Sequence, residues 1–273
     1  MTFFADLAAR IEATDSVVSV GLDPDPTRLP DFLDADLPRW AFNRRIIDAT
    51  HEHAACYKPN AAFYEDPDGW RALRETVAYA HGKGVSVLLD AKRGDIGNTA
   101  RRYATILDDV DAITVNPYLG EDALRPFLDR EDSGVFVLAR TSNPGARDFQ
   151  NLEVGNGKRL YEYVAQRATE WDEGNVGLVV GATAPDELEA VRDLAPDLPF
   201  LVPGVGAQGG DAEAAVERGL ATEHPAAGET GLGLVNSSRG IIFAGEGSED
   251  AGAYFSAAGA AAKRLKSRLN EYR

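Results

Sequence analysis

In the stretch 88–100, LLDAKRGDIGNTA, the types and spacing of Asp90, Lys92 and Asp95 suit proton chemistry. The apolar run 85–89 leads into Asp90 and reads as a buried strand. Residues two apart in a strand face the same side, so Asp90 and Lys92 point together. Gly94 breaks the strand, and Asp95 opens a helix predicted over 95–107, where an aspartate is a good N-cap. Two carboxylates around one ammonium keep the lysine charged. At ~4 Å and an effective dielectric of ~20, each such contact is worth about 4 kcal/mol before desolvation. A lysine held this way is a poor nucleophile and a well-aimed proton donor. The plainer alternative is a buried salt bridge with no chemistry.

These groups need a scaffold, and the rest of the chain supplies the pattern of one. Apolar strand-like runs at 16–23, 55–63, 85–92, 112–118, 134–142, 176–183, 199–206 and 233–240 alternate with amphipathic segments. The helical segments are 39–53, 67–81, 95–107, 121–129, 157–171, 185–194 and 211–218, with a last helix over 250–272. Eight β/α units in 273 residues predict an α/β fold, a TIM (β/α)8 barrel in a single domain spanning 1–273. A doubly wound sheet is the second choice, but no G-x-G-x-x-G follows an early strand.

Barrels carry their chemistry at the C-terminal ends of the strands. Polar residues gather there: Asp23 in GLDPDP, Lys58 and Asn60 in YKPN, then Asp90 and Lys92, Asn116 in VNPY, and Thr141 and Ser142 in ARTSNPG. Gln208 follows the seventh strand in PGVGAQGG, and Ser237, Ser238 and Arg239 end the eighth in NSSRG. Asn116-Pro117 and the run 142–145 also suit ordinary turns. The last two loops suit an anion: a glycine-rich loop offers backbone N–H groups, and a guanidinium grips phosphate oxygens in pairs. A small phosphorylated substrate is expected. The segment 208–231, rich in glycine and alanine, reads as a lid, and the role of His224 within it is open.

Composition narrows the setting. With 44% hydrophobic residues the chain can bury a full core. No apolar stretch approaches the ~20 residues of a membrane span, and the N-terminus MTFFADLAAR lacks a signal peptide's pattern. Cys56 is the single cysteine, so no intrachain disulfide forms. A soluble cytoplasmic protein without a membrane partner is expected. The net charge is −16, and lysine occurs only at positions 58, 83, 92, 158, 263 and 266. An acidic, lysine-poor surface suits concentrated salt, where the Debye length falls to ~3 Å and self-repulsion is screened. The same acidity argues against nucleic acid as a partner.

Across most of its length, GLDPDP, YKPN, LLDAKRGDIGNTA, VNPYLG, ARTSNPG, LVPGVGAQGG and VNSSRGI, taken in order, resemble the orotidine 5′-phosphate decarboxylase family. The likeness is to its longer bacterial and archaeal members, the type 2 subfamily. It implies decarboxylation of orotidine 5′-phosphate to UMP without metal or organic cofactor. Lys58, Asp90, Lys92 and Asp95 would form an alternating charged network. Asp95, Ile96 and Thr99 would reach the neighbouring subunit's site, making a homodimer with shared sites. Asp23 would bind ribose hydroxyls. Ser142 and Gln208 would hold the pyrimidine, and Gln208, Arg239 and the Gly240 backbone the 5′-phosphate. Asn60 and Asn116 are expected near the site.

Three rival readings share parts of this pattern. Magnesium-dependent sugar-phosphate enzymes of the same barrel type share D-x-K-x-x-D, but YKPN has no further acid beside Lys58 for a metal. A Schiff-base aldolase needs a lysine of lowered pKa in an apolar pocket, the opposite of Lys92 between acids. A non-catalytic nucleotide-binding barrel would keep the phosphate loop and have no use for the charged network.

Overall fold

The computed structural model describes residues 2–33, 36–155, 157–183, 185–205, 210–229 and 231–273. Eight strands form a closed barrel in chain order: β1 (Val18–Leu22), β2 (Cys56–Pro59), β3 (Ser86–Arg93), β4 (Ala112–Val115), β5 (Gly134–Arg140), β6 (Val176–Val180), β7 (Phe200–Pro203) and β8 (Gly233–Ser237). Every pairing is parallel, and β8 returns to β1 through Val18↔Val235 and Val20↔Ser237. Strands covered on both faces carry near-continuous apolar sequence, and VGLVV in β6 is buried throughout. Around the barrel run α2 (Pro38–Thr50), α3 (Pro67–Gly82), α4 (Gly97–Ala104), α5 (Glu121–Leu128), α6 (Leu160–Trp171), α7 (Pro185–Leu194), α8 (Ala212–Glu217), α9 (Arg239–Ile242) and α10 (Ala251–Asn270). The TIM-barrel expectation holds, with all eight strands where the apolar runs lie.

The predicted strands overshoot at their C-terminal ends for a physical reason. Asn60 and Asn116 turn the chain into short 3-10 segments by accepting N–H bonds two residues on, from Ala62 (3.1 Å) and Tyr118 (3.1 Å). Strand β8 likewise stops at Ser237, and Arg239 already begins α9. The helix expected from Asp95 starts later, at Gly97. Its N-cap position is Ile96, with no side-chain cap, so Asp95 does not serve as the cap. Its carboxylate instead accepts the N–H of Ile96 at 2.8 Å.

A further helix, which the strand–helix alternation does not reveal, precedes β1: the chain's first helix, α1 (Phe3–Thr14), capped by the Thr2 hydroxyl. It buries Phe3, Phe4, Leu7 and Ile11. The N–H of Phe3 bonds Asp132 O, just before β5, so α1 covers the N-terminal end of the barrel. There Phe3, Phe4 and Phe136 pack edge to face, with centroids 5.2–6.0 Å apart. Burying each such ring contributes roughly 1.5–3 kcal/mol.

The described part of 208–231, expected as a lid, starts at the cavity rim, where Gly210 pairs with the lining residue Val205, and runs to the opposite end of the barrel. Residues 212–217 form α8, and Ala221 pairs with Leu232 immediately before β8, at the barrel's closed end. His224 lies there, buried, its ring edge-on to Phe4 at 5.2 Å, with Nδ1 accepting the N–H of Ala226 at 3.0 Å. The part around His224, in contact with Phe4 of α1, is far from the strand ends where a substrate would sit.

Burial holds the His224 imidazole below its ordinary value of 6.5. The unfolded chain therefore takes up a proton that the folded ring resists. The stability this gives is complete above the unfolded pKa and is lost as pH falls below it. His224→Phe keeps the contact with Phe4 and removes the titration. Its melting temperature should drop less between pH 7.5 and 5.5 than that of the parent protein, and an equal drop in both would refute the assignment.

Candidate active site

A cavity of about 390 Å³ opens at the C-terminal ends of the strands, within the ~300–1,000 Å³ usual for small-ligand sites. Asp23 follows β1, and Lys58 and Asn60 lie at the end of β2. Asp90 and Lys92 come from β3, Thr141 and Ser142 follow β5, and Ser238 and Arg239 follow β8. Most of the residues expected at the site thus meet in one place. Gly240 follows Arg239 in α9. Asp95, Ile96 and Thr99 are not part of this lining, and Ile96 is 60% exposed. Asn116 faces an outer apolar groove with Tyr118, Phe149 and Tyr163. Gln208 lies outside the described residues.

Three members of the expected alternating network, Lys58, Asp90 and Lys92, meet within one chain. Within one chain the shared group is an acid. Asp90 Oδ2 receives Lys58 Nζ at 3.0 Å, and Asp90 Oδ1 receives Lys92 Nζ at 2.6 Å. Among the described residues the second acid near Lys58 is Asp23, and Asp95 joins neither lysine. The reason is geometric: β3 carries Asp90 into the mouth, whereas Asp95 lies beyond the strand end, turned onto its own backbone.

Burial and charge then set the protonation states. Lys58 is only 4% exposed. Desolvation pulls its pKa down, but Asp90 and Asp23 outweigh this and hold it above the ordinary value. Desolvation likewise pushes Asp90 up, and the two ammonium groups override it, leaving the carboxyl well below the usual carboxylate range. A lysine held charged in this way is no Schiff-base nucleophile.

The neighbouring residues fix the remaining walls. Asp23 Oδ1 accepts the N–H of Asn60 at 3.2 Å, and its Oδ2 accepts the Ser238 hydroxyl at 2.6 Å. This contact needs Gly21: a Cβ there would stand 2.5 Å from Ser238 Cβ. Ser142 is backed by Gly181, where a Cβ would come within 2.9 Å of Ser142 Cα. Thr141 beside it is clamped by Gln150, whose Oε1 accepts the Thr141 N–H and whose Nε2 donates to the Thr141 hydroxyl, both at 2.9 Å. Behind that turn Arg140 pairs with Glu187 at 2.6 Å, both largely buried.

Sequence reasoning missed Gln150, Asn236 and Thr114. Asn236 lines the cavity and accepts a bond from the buried Ser19 hydroxyl at 3.1 Å. Thr114 donates to Asp90 Oδ1 at 2.9 Å. The signal for Thr114 was a hydroxyl inside the apolar run AITV, which strand alternation places facing the barrel axis.

Removing one partner of a buried ion pair is costly because the other charge remains. Lys58→Met should lower stability by about 3 kcal/mol, read as a fall in melting temperature in high salt. An unchanged melting temperature would show that Lys58 and Asp90 do not depend on each other.

Comparison with known proteins places this site in a family. Residues 16–254 match the family described as Orotidine 5'-phosphate decarboxylase / HUMPS family. The orotidine 5'-phosphate decarboxylase of Natronomonas pharaonis is 75% identical over 278 residues, covering 100% of both chains. Among solved structures, the Leishmania donovani OMP decarboxylase is 42% identical with a TM-score of 0.81, covering 100% of this chain and 99% of that one. The Leishmania donovani UMP synthase is 43% identical with a TM-score of 0.84, and this chain spans 56% of its length. By the extent of the match and by these identities, the chain belongs to the orotidine 5'-phosphate decarboxylase / HUMPS family.

Proposed function

We infer that the chain decarboxylates orotidine 5′-phosphate to UMP and CO₂, the step that completes UMP in pyrimidine biosynthesis. The family match and the full-length relatives bearing that activity's name support it. The observation that carries the mechanism is the Asp90 carboxylate between two ammonium groups, in a cavity that Arg239 also lines. The bond from C6 to the carboxylate breaks, its electron pair stays on C6, and CO₂ leaves. Lys92 then supplies a proton to C6, and its charge stabilises the developing carbanion beforehand. Asp90 faces the departing carboxylate and disfavours that charged ground state. Lys58 holds Asp90, and Asp23 takes the ribose hydroxyls. Ser142 and Gln208 hold the pyrimidine, with Asn60 close by, while Gln208, Arg239 and the Gly240 backbone hold the phosphate. Grip on a phosphate remote from C6 raises turnover when its energy is expressed in the transition state.

The active unit in this reading is a homodimer with Asp95, Ile96 and Thr99 crossing into the partner's cavity. Supporting it, these residues lie outside their own cavity, and Ile96 and Tyr118 are 60% and 85% exposed. We place the chain in the type 2 subfamily and in the cytoplasm of a salt-adapted cell. Relatives from haloarchaea and the charge of −16 support the salt adaptation. No helix among the described residues is long and apolar enough to cross a membrane.

Lys92→Ala should lose nearly all turnover of orotidine 5′-phosphate while still binding UMP, and wild-type turnover in this variant would remove Lys92 from the mechanism. Activity of the unaltered protein should persist in EDTA, whereas a magnesium-dependent sugar-phosphate enzyme would lose it. Mixing inactive Lys92→Ala and Asp95→Ala chains should restore about one quarter of parental activity. Half of the dimers are then mixed, and each has one intact site out of two. No recovery on mixing would refute shared sites.

A further inference from the structure

Strands β3 and β4 pair through Leu89↔Ile113 and again through Arg93↔Val115. Between these pairings β4 offers one residue, Thr114, and β3 three: Asp90, Ala91 and Lys92. This is an enlarged bulge, a device that re-aims side chains at the expense of ladder bonds. The expense is visible at Lys92, whose φ is +49°, a left-handed backbone rare for a residue with a side chain. A conformation of this kind persists only where its surroundings hold it.

Thr114 is what holds it. It is fully buried and does not line the cavity. A threonine hydroxyl has one proton to give and lone pairs to receive. Thr114 Oγ1 donates to Asp90 Oδ1 at 2.9 Å and accepts the backbone N–H of Lys92 at 2.9 Å. Asp90 Oδ1 in turn accepts Lys92 Nζ at 2.6 Å. The contacts close a ring: hydroxyl, carboxylate, ammonium, the length of the lysine side chain, and its own backbone N–H. One end of Lys92, its backbone N–H, is thereby fixed directly to Thr114 Oγ1, and the other, its ammonium, is fixed to it through the Asp90 carboxylate. Regular pairing resumes at once, with Asn116 N–H on Arg93 O at 2.7 Å.

We propose that Thr114 is a positioning residue for catalysis: its hydroxyl sets the left-handed backbone of Lys92 and the rotation of the Asp90 carboxylate together, aiming the ammonium at the reacting carbon. This rests on the roles of Lys92 and Asp90 given above. A small displacement of a well-placed group costs up to about 100-fold in rate, so turnover should suffer while ground-state binding does not.

The test compares Thr114→Val, which keeps the shape and loses the hydroxyl, with Thr114→Ser, which keeps the hydroxyl, and with Lys92→Ala. Each is assayed in high salt well below its own melting temperature. Thr114→Val should lower kcat about 30-fold with UMP affinity within about threefold of the parent, and Thr114→Ser should restore most of the rate. Should the valine variant not fold, Thr114→Cys replaces it with the same expectation. Thr114→Val turning over within twofold of the parent while Lys92→Ala is inactive would overturn this inference alone. Equal loss in the serine and valine variants would overturn it too. Full turnover in Lys92→Ala would overturn the reading beneath it.

Discussion

A carboxylate that is 11% exposed cannot stay ionised alone. Asp90 does so because two ammonium groups reach it, and much of the mouth follows from that requirement. Lys58, buried to carry one of those charges, draws on Asp23 as well as Asp90. Asp23 is held by the Ser238 hydroxyl and the Asn60 N–H. One electrostatic demand on β3 thus runs through β2 and β1 to β8. Gly21 has no room for a side chain for the same reason, since Ser238 must come close to reach Asp23.

The two ends of the barrel divide the work. At the mouth the side chains are polar and interlocked, and few are free to repack. At the other end α1 and the segment before β8 close the structure with phenylalanines and a buried histidine. Apolar contacts there are non-directional and tolerate some rearrangement. The closed end can therefore carry stability while the mouth keeps charges that do not by themselves make the fold more stable. Stability and chemistry are built from different residues.

The barrel was legible because parallel strands covered on both faces leave long apolar runs, such as VGLVV, between amphipathic helices. The gathering of Asp23, Lys58, Asp90, Lys92, Ser142 and Arg239 was legible because each ends one of those runs. The sharing was not. Spacing along β3 puts Asp90 and Asp95 on either side of Lys92, but the acid that Lys58 and Lys92 share depends on how neighbouring strands align. Thr114 was hidden for the same reason, since its importance comes from three residues of β3 facing one of β4. Likewise, nothing in the stretch GLATEHPAAG announces that its histidine packs on Phe4 of α1, some two hundred positions earlier.

The backbone of Lys92 has an implication for redesign. At φ +49° the position favours glycine, the residue with no side-chain penalty there. Glycine there would relax the backbone but leave the Asp90 carboxylate with one ammonium group instead of two, so the ion pair and the strained backbone pull the position in opposite directions. Stability-driven optimisation of this scaffold should hold Lys92 fixed before anything else is varied.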